Sequence, residues 1–450
     1  MLVIPCFPRG RVFAFTAMRD EKGPASRLEI FGWCMFDFAN SSYTTLIVTV
    51  VYAIYFMGPV CEGAKLSRET GELLWGLGNW LSQGLVLITA PVVGAITDFS
   101  GAKKGFLLVT YLGCVLGTVC LGFVGPGQVA LGLGLFILSN LFYSSGENIV
   151  AAFLPEIATP ERMGRVSGLG WALGYFGGLA SLAACYPLVA QGIDAEHSGS
   201  VRLSFVVVAA FFFVAALPTF IFLKERAVPQ QLPQGKGYVS VGFTRVFETL
   251  GRVRQYRQLF RFLFVFLAYS CGIFVVVAYA NQFGKEEIGM SMSDLMILFI
   301  ALQLAASGGA FVFGILQDRV SSWIAIQLSL FVWLAVCVGA YFTETKSEFY
   351  GVGVLAGIAM GSSQSAARAL VGSFSPIDRA GEFFGFWGLF WKLAGVGPVL
   401  FGLLRQWVDM RTAILSTGVF FLLGIVGMLF IDEKEGRKAA AQSPPSERIS

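Results

Sequence analysis

Histidine and charge are what this chain has least of. One histidine, His197, stands among 450 residues, and Asp, Glu, Lys and Arg together make up 13%. A soluble domain carries about 25% charged residues, so a water-facing surface along the whole chain is excluded. His197 lies in a polar loop, which removes a histidine metal site or a Ser/His/Asp triad from the apolar parts. The eight cysteines are scattered, mostly inside apolar runs, and no pair has metal-ligand spacing. No GxxxxGK[ST] sequence is present, which argues against a nucleotide-driven pump. Nucleophiles and bases do not cluster, so neither an enzyme nor a cofactor is expected. The net charge of +4 resides in basic residues flanking apolar runs, which does not suggest a nucleic-acid partner.

Apolar residues are what the chain has. They make up 56% of it, and the mean hydropathy is +0.71. Runs of roughly 20 residues recur, each long enough at 1.5 Å per residue to cross about 30 Å of hydrocarbon. A β-barrel would show short alternating segments instead. The expected fold is therefore an all-α polytopic membrane protein in contact with the lipid bilayer. Twelve spans are read: 31–57, 72–97, 105–124, 129–153, 167–189, 202–223, 259–281, 293–316, 323–342, 349–372, 383–407 and 411–431.

The polar stretch 224–258 divides these spans six and six. The expected organisation is an N-terminal segment 1–30, a bundle 31–223, a linker 224–258, a second bundle 259–431 and a tail 432–450. The tail is polar, carries Pro444 and Pro445 and is expected to be disordered. Pro5, Pro8, Arg9 and Arg11 interrupt the first apolar run, so it makes a poor signal peptide, and Met18 is a second candidate start. Most of the 32 Lys and Arg fall in the tails and the even-numbered loops. By the positive-inside bias both termini and the linker are cytoplasmic.

The halves read as repeats. GAITDFSGAKK begins at Gly94 and GILQDRVSSW at Gly314, placing Gly94 and Asp98 on Gly314 and Asp318 at an offset of 220. PERMGRVSG and PIDRAGEFFG match at an offset of 217, which puts Arg162 on Arg379, Gly164 on Gly381 and Gly168 on Gly385. Two matches at nearly one offset indicate a duplicated six-helix unit. In the first copy Gly94 lets helices approach, Gly101 permits a turn and Lys103 and Lys104 hold the loop inside. Asp98 can accept from a neighbouring helix N-terminus. The second copy has Ser321 where the second glycine would stand. Gly170, Gly174 and Gly178 recur every four residues in the fifth span, and Gly395, Gly397 and Pro398 lie in the eleventh. Small faces of this kind serve helix packing.

Four ionisable residues fall inside spans: Asp37, Glu147, Arg368 and Lys392. Each costs about 2.5–3.5 kcal/mol at a helix centre even on a mild scale, so each is expected to face a cavity or a partner. All four lie in the cytoplasmic half, roughly 6–14 Å deep. The acids belong to the first repeat and the bases to the second. They can pair across the cavity floor as an inside gate, or hold the two ends of a zwitterion. Snorkelling is the bland alternative, with Arg368 and Glu147 as its best candidates. Asn40 and Tyr43 follow Asp37, Asn148 follows Glu147, and Gln364 precedes Arg368, adding polar groups to the same faces.

The loop motif resembles that of the major facilitator superfamily. DFANSSYTTLIVTVVYAIYF, LPEIATPERMGRVSGLGWALGYFGG and SSQSAARALVGSFSPIDRAGEFFGFWGLFWKLAGVGP resemble its vacuole-effluxer branch, which includes bacterial relatives of fungal autophagy-related amino-acid effluxers. The resemblance implies a twelve-helix fold of two six-helix repeats whose loop motifs gate the cavity. It implies secondary transport of a small polar or zwitterionic solute, amino-acid efflux included, with Asp37, Asn40, Glu147, Arg368 and Lys392 at family-typical positions. It also implies a bacterial inner membrane location. A monomer is expected, with protons as the candidate coupling ion carried by Asp37 or Glu147. A lipid or drug transporter of the same fold is the alternative. The seventh span departs from the pattern: Tyr269-Ser270-Cys271-Gly272 lacks the acid expected after the tyrosine.

Overall fold

The computed structural model describes residues 24–442 except 231, 233, 234 and 236. The choice between Met1 and Met18, and the tail from Ser443, lie outside the described residues. Helices account for nearly all of the rest. They are α1 (Arg27–Gly63), α2 (Arg68–Ser100), α3 (Lys103–Leu121), α4 (Val129–Ile157), α5 (Met163–Val189) and α6 (Ser198–Phe222) in the first half. A linker helix α7 (Tyr238–Gly251) follows. The second half holds α8 (Arg257–Glu286), α9 (Met292–Arg319), α10 (Ser322–Phe342), α11 (Lys346–Phe374), α12 (Ile377–Leu404) and α13 (Met410–Met428), and then α14 (Glu433–Ala441).

Among the described residues eleven helices are long and apolar enough to cross a membrane. The tenth expected span, α11, has the length, with 29 residues. It fails on composition, because its core is Gly, Ser, Ala and Arg368. These small and polar residues are buried within protein rather than turned to lipid, and protein contact is what lets such a segment sit at depth.

Local rules set the helix ends. Ser26 accepts from the Glu29 N–H at the start of α1 (3.1 Å), and Ser291 with Asp294 forms a reciprocal capping box at the start of α9. Thr345 and Glu348 do the same for α11. Gly101 ends α2 at φ 61°, a left-handed conformation open to glycine, and packs against Pro229. Ser321, at the equivalent place in the second copy, is extended and accepts from the Ile324 N–H (3.1 Å), capping α10. A serine serves there because no positive φ is needed.

Each half has its own apolar core. Trp33, Tyr52, Phe136 and Phe205 belong to the first; Phe266, Trp333, Phe384 and Phe421 belong to the second. Two seams join the halves, α5 on α9 and α2 on α12.

The structure corrects several expectations and places a helix within the linker. The segment from Asp432 is not all disordered, since Glu433–Ala441 is a helix. Gly436 admits the Phe374 ring, Glu435 accepts from Arg257 Nε (2.7 Å) and Gln258 Nε2 (2.6 Å), and Glu433 accepts from the Trp323 N–H (3.1 Å). The 224–258 linker contains α7, which lays Gly242 against Val92 and Ile96 of α2. The first span runs on to Gly63 through two π-helical stretches, Tyr43–Val50 and Phe56–Val60. Gly395 meets no other helix; it lies at the break between Ala380–Leu393 and Val396–Leu404, and it is Gly397 that packs on Cys271 of α8.

Candidate transport site

Asp37 reaches the site from α1, whose Trp33 and Asp37 lie one turn apart on the face packed against α5. Arg368 reaches it from α11 in the other half. Arg368 Nη1 donates to Asp37 Oδ2 at 2.7 Å. The other guanidinium nitrogens bind one residue of α5: Nε donates to Ser167 Oγ (3.1 Å) and Nη2 to the Ser167 carbonyl (2.9 Å). The guanidinium sits over the rings of Trp33 and Trp171, with centroids at 4.7 and 5.3 Å. Gly170 is required here, since a Cβ would run into Asp37 and Arg368. Gly174 and Gly178 continue the stripe against Ser41 and Thr45 of α1.

The side chains of Arg368 and Asp37 are only 4% and 12% exposed. Burying both charges costs several kcal/mol per ion, roughly offset by close geometry and satisfied donors. The pair is thus held by its surroundings, and Arg368 is not snorkelling: its charge turns inward to an acid of the other half.

Glu147 and Lys392 behave differently. Both are half-buried. Unlike Asp37 and Arg368, they form no ion pair with each other. Asn148, one residue along, packs its amide against Gly388 of α12, where no Cβ would fit. That contact brings the Glu147 turn of α4 beside the Lys392 turn of α12.

The neighbouring polar residues divide. Gln364 accepts from Tyr175 Oη (3.1 Å), a bond between the halves. Asn40 is buried on α1. Tyr43 is committed inside the first half: its hydroxyl bonds Ser139 Oγ (2.7 Å) and its ring stacks on Tyr143 (4.9 Å). Pro398 offers its carbonyl to Tyr279 Oη (3.4 Å) within the second half.

The repeated loop motifs meet each other's partners. Asp98 accepts from the N–H groups of Gly381 (3.0 Å) and Glu382 (2.9 Å) at the start of the long helical part of α12. Asp318 accepts from the N–H groups of Gly164 (2.8 Å) and Arg165 (2.9 Å) at the start of α5. A carboxylate at a helix N-terminus meets free donors and the positive end of the dipole. Backbones approach at the same points, Gly94 against Gly381 and Gly314 against Gly164. Lys103 is not a loop flank: its buried ammonium joins Asp98 (2.8 Å) and Glu156 (2.6 Å). Lys104 donates to the Leu223 carbonyl (2.6 Å).

Sequence reasoning missed Ser167, Trp33 and Trp171 around Arg368. The spacing of Trp33 to Asp37, and of Ser167 and Trp171 around Gly170, carried the signal. It also missed a buried cluster where α7 meets α12: Arg245, Arg379 and Glu382, with Arg379 Nη1 donating to Thr249 Oγ1 (3.2 Å). A groove of about 910 Å³ lies apart from the four charges, at the loop end, and includes Arg257, Arg261, Trp323 and Glu435 in its lining.

The family described as vacuole effluxer Atg22 like matches residues 79–441. The chain belongs to that family. Among relatives of this Atg22-like chain, the uncharacterized MFS-type transporter YxiO of Bacillus subtilis is 28% identical over 417 residues, covering 91% of this chain and 96% of the relative. Autophagy-related protein 22 of Saccharomyces cerevisiae is 22% identical over 429 residues, covering 82% and 80%. The human organic anion transporter MFSD10 (TETRAN) superposes with a TM-score of 0.69 at 13% identity, covering 89% of this chain and 99% of that one. The transporter FucP in its outward conformation superposes with a TM-score of 0.66 at 14% identity, covering 90% and 98%. The fold is that of the major facilitator superfamily, and the Atg22-like chain is a multi-pass membrane transport protein.

Proposed function

We propose that this Atg22-like protein is a secondary transporter that moves a small polar or zwitterionic solute, amino acids first among them, by alternating access. The observation that carries the reading is the buried Asp37–Arg368 pair, one partner from each half. An ion pair between rigid halves makes a gate: it holds them together in one state and breaks when they rock apart. The Asp98 and Asp318 clamps act at the same end, and with them closed the protein is in its outward-facing state. Both termini are cytoplasmic, so the closed end is the cytoplasmic one. A proton carried by Asp37 or Glu147 couples the cycle, because protonation removes the charge that holds the opposing base. Lipids and apolar drugs fit four internal charges less well than a zwitterion does.

The test is counterflow in proteoliposomes loaded with mixed unlabelled amino acids. Entry of labelled amino acids supports the reading. Folded protein that exchanges none of them refutes it.

A further inference from the structure

The two acid–base couples across the halves are not equivalent. Around Arg368 every guanidinium nitrogen has a partner, and the carboxylate of Asp37 is already held. The Asn148–Gly388 contact sets the Glu147 turn of α4 beside the Lys392 turn of α12; the two charges close no ion pair, and both keep some exposure. On the same turn of α4, Ser144 Oγ and Asn148 Nδ2 are buried without a hydrogen-bond partner. A buried polar group left without a partner is costly, and two of them on the turn that carries Glu147, beside a charge couple that is not closed, mark a place for a ligand.

Resting on the transporter reading above, we propose that the solute binds between Glu147 and Lys392. The Asp37–Arg368 pair is a lock and not a substrate contact. The ammonium of a small zwitterion bonds the Glu147 carboxylate. Its carboxylate bonds the Lys392 ammonium and the Asn148 amide N–H, with the Ser144 hydroxyl as a further donor. An anion alone would meet the Glu147 charge, and a cation alone the Lys392 charge, so one-ended analogues bind more weakly than the zwitterion. The ligand bridges α4 and α12, adding a charged link between the halves beside the Asn148–Gly388 packing contact.

The experiment measures equilibrium binding of a mixture of radiolabelled amino acids to the full-length protein in nanodiscs. Desamino acids and amino-acid methyl esters serve as one-ended competitors. Wild type is expected to prefer the zwitterions. Glu147→Gln and Lys392→Met are each expected to lose about tenfold or more in affinity, the loss typical of a charge-assisted hydrogen bond. Glu147→Gln is also expected to lose the preference for zwitterions over desamino acids, a readout that a packing role would not move. The swap Glu147→Lys with Lys392→Glu is expected to regain binding over either single change, because a small zwitterion can turn end for end. Size-exclusion profiles like wild type establish that the variants are folded. Wild-type affinity and selectivity in both folded single variants overturn the assignment while leaving the transporter reading standing. Wild-type protein that binds none of the mixture overturns the zwitterion reading itself.

Discussion

Asp37 and Arg368 lie 331 residues apart in the chain, and their charged atoms lie 2.7 Å apart in the fold. They come from different halves, and the guanidinium is further held by Ser167 and by the rings of Trp33 and Trp171. Arg368→Ala strands a buried carboxylate and is expected to destabilise the protein by about 3–5 kcal/mol. Asp37→Asn with Arg368→Met removes both charges and is expected to recover most of that loss. Thermal unfolding of the purified single and double variants checks this. Equal losses in both would show that the charges are not paired.

Arg368→Lys is not a conservative change here. The three guanidinium nitrogens bind Asp37 and two atoms of Ser167 in a fixed fork, and a lysine has one nitrogen to offer. The variant is expected to fall near Arg368→Ala in counterflow rate and not near wild type. Rates within about twofold of wild type, where a point charge alone suffices, would contradict the fork.

The two loop clamps share a design but not a strength. Asp98 and Asp318 each accept two N–H bonds from the opposite half, and Asp98 also holds the buried Lys103. Asp98→Asn is therefore expected to cost more stability than Asp318→Asn, by about 1–3 kcal/mol, the penalty for weakening a buried charged contact. Parallel thermal melts decide it; a greater cost at Asp318 would reverse the ranking.

Gly94 faces the Gly381 carbonyl with no space for a Cβ. Gly94→Val is expected to push α2 from α12 at a cost of about 1–3 kcal/mol. Cysteine accessibility at Asn148, which lies by the same seam in a gap lined by Gly94 and Gly381, is expected to rise. Unchanged labelling of Asn148→Cys in the Gly94→Val background would show that the seam tolerates the methyl groups.

The α14 helix should release in acid. Hydrogen bonds from Arg257 and Gln258 hold the Glu435 carboxyl below its ordinary value of 4.5. A carboxyl depressed in the folded state lends its stability fully above the unfolded value and loses it as pH falls through the folded value. Amide exchange in α14, corrected for intrinsic rates, is expected to be slow at neutral pH and to quicken below the ordinary glutamate range. In Glu435→Gln that acid step should vanish. An identical step in wild type and variant would assign the transition to another group.

The internal repeat was legible because its residues do pairwise work. The 220 and 217 offsets in sequence are realised as Asp98 on Gly381 and Asp318 on Gly164. The four internal charges were legible because hydrocarbon penalises any charge that lacks a reason to be there. Their pairing was not: charge pattern alone does not tell Asp37–Arg368 from Asp37–Lys392, and the choice is made by Ser167, Gly170 and Trp171 on a third helix together with Trp33 one turn before Asp37. The docking of α14 was hidden for a related reason: it rests on tertiary packing, Gly436 against Phe374, which leaves little local signature.

The central claim is that the Asp37–Arg368 pair locks the loop end of the two halves. The most direct measurement is the distance between spin labels at Glu161 and Arg319, exposed positions at the loop ends of α5 and α9. A short population in the wild-type background that gives way to a longer one in Arg368→Ala is the predicted result. An unchanged distance distribution in folded Arg368→Ala would contradict the lock and reduce the pair to a static contact.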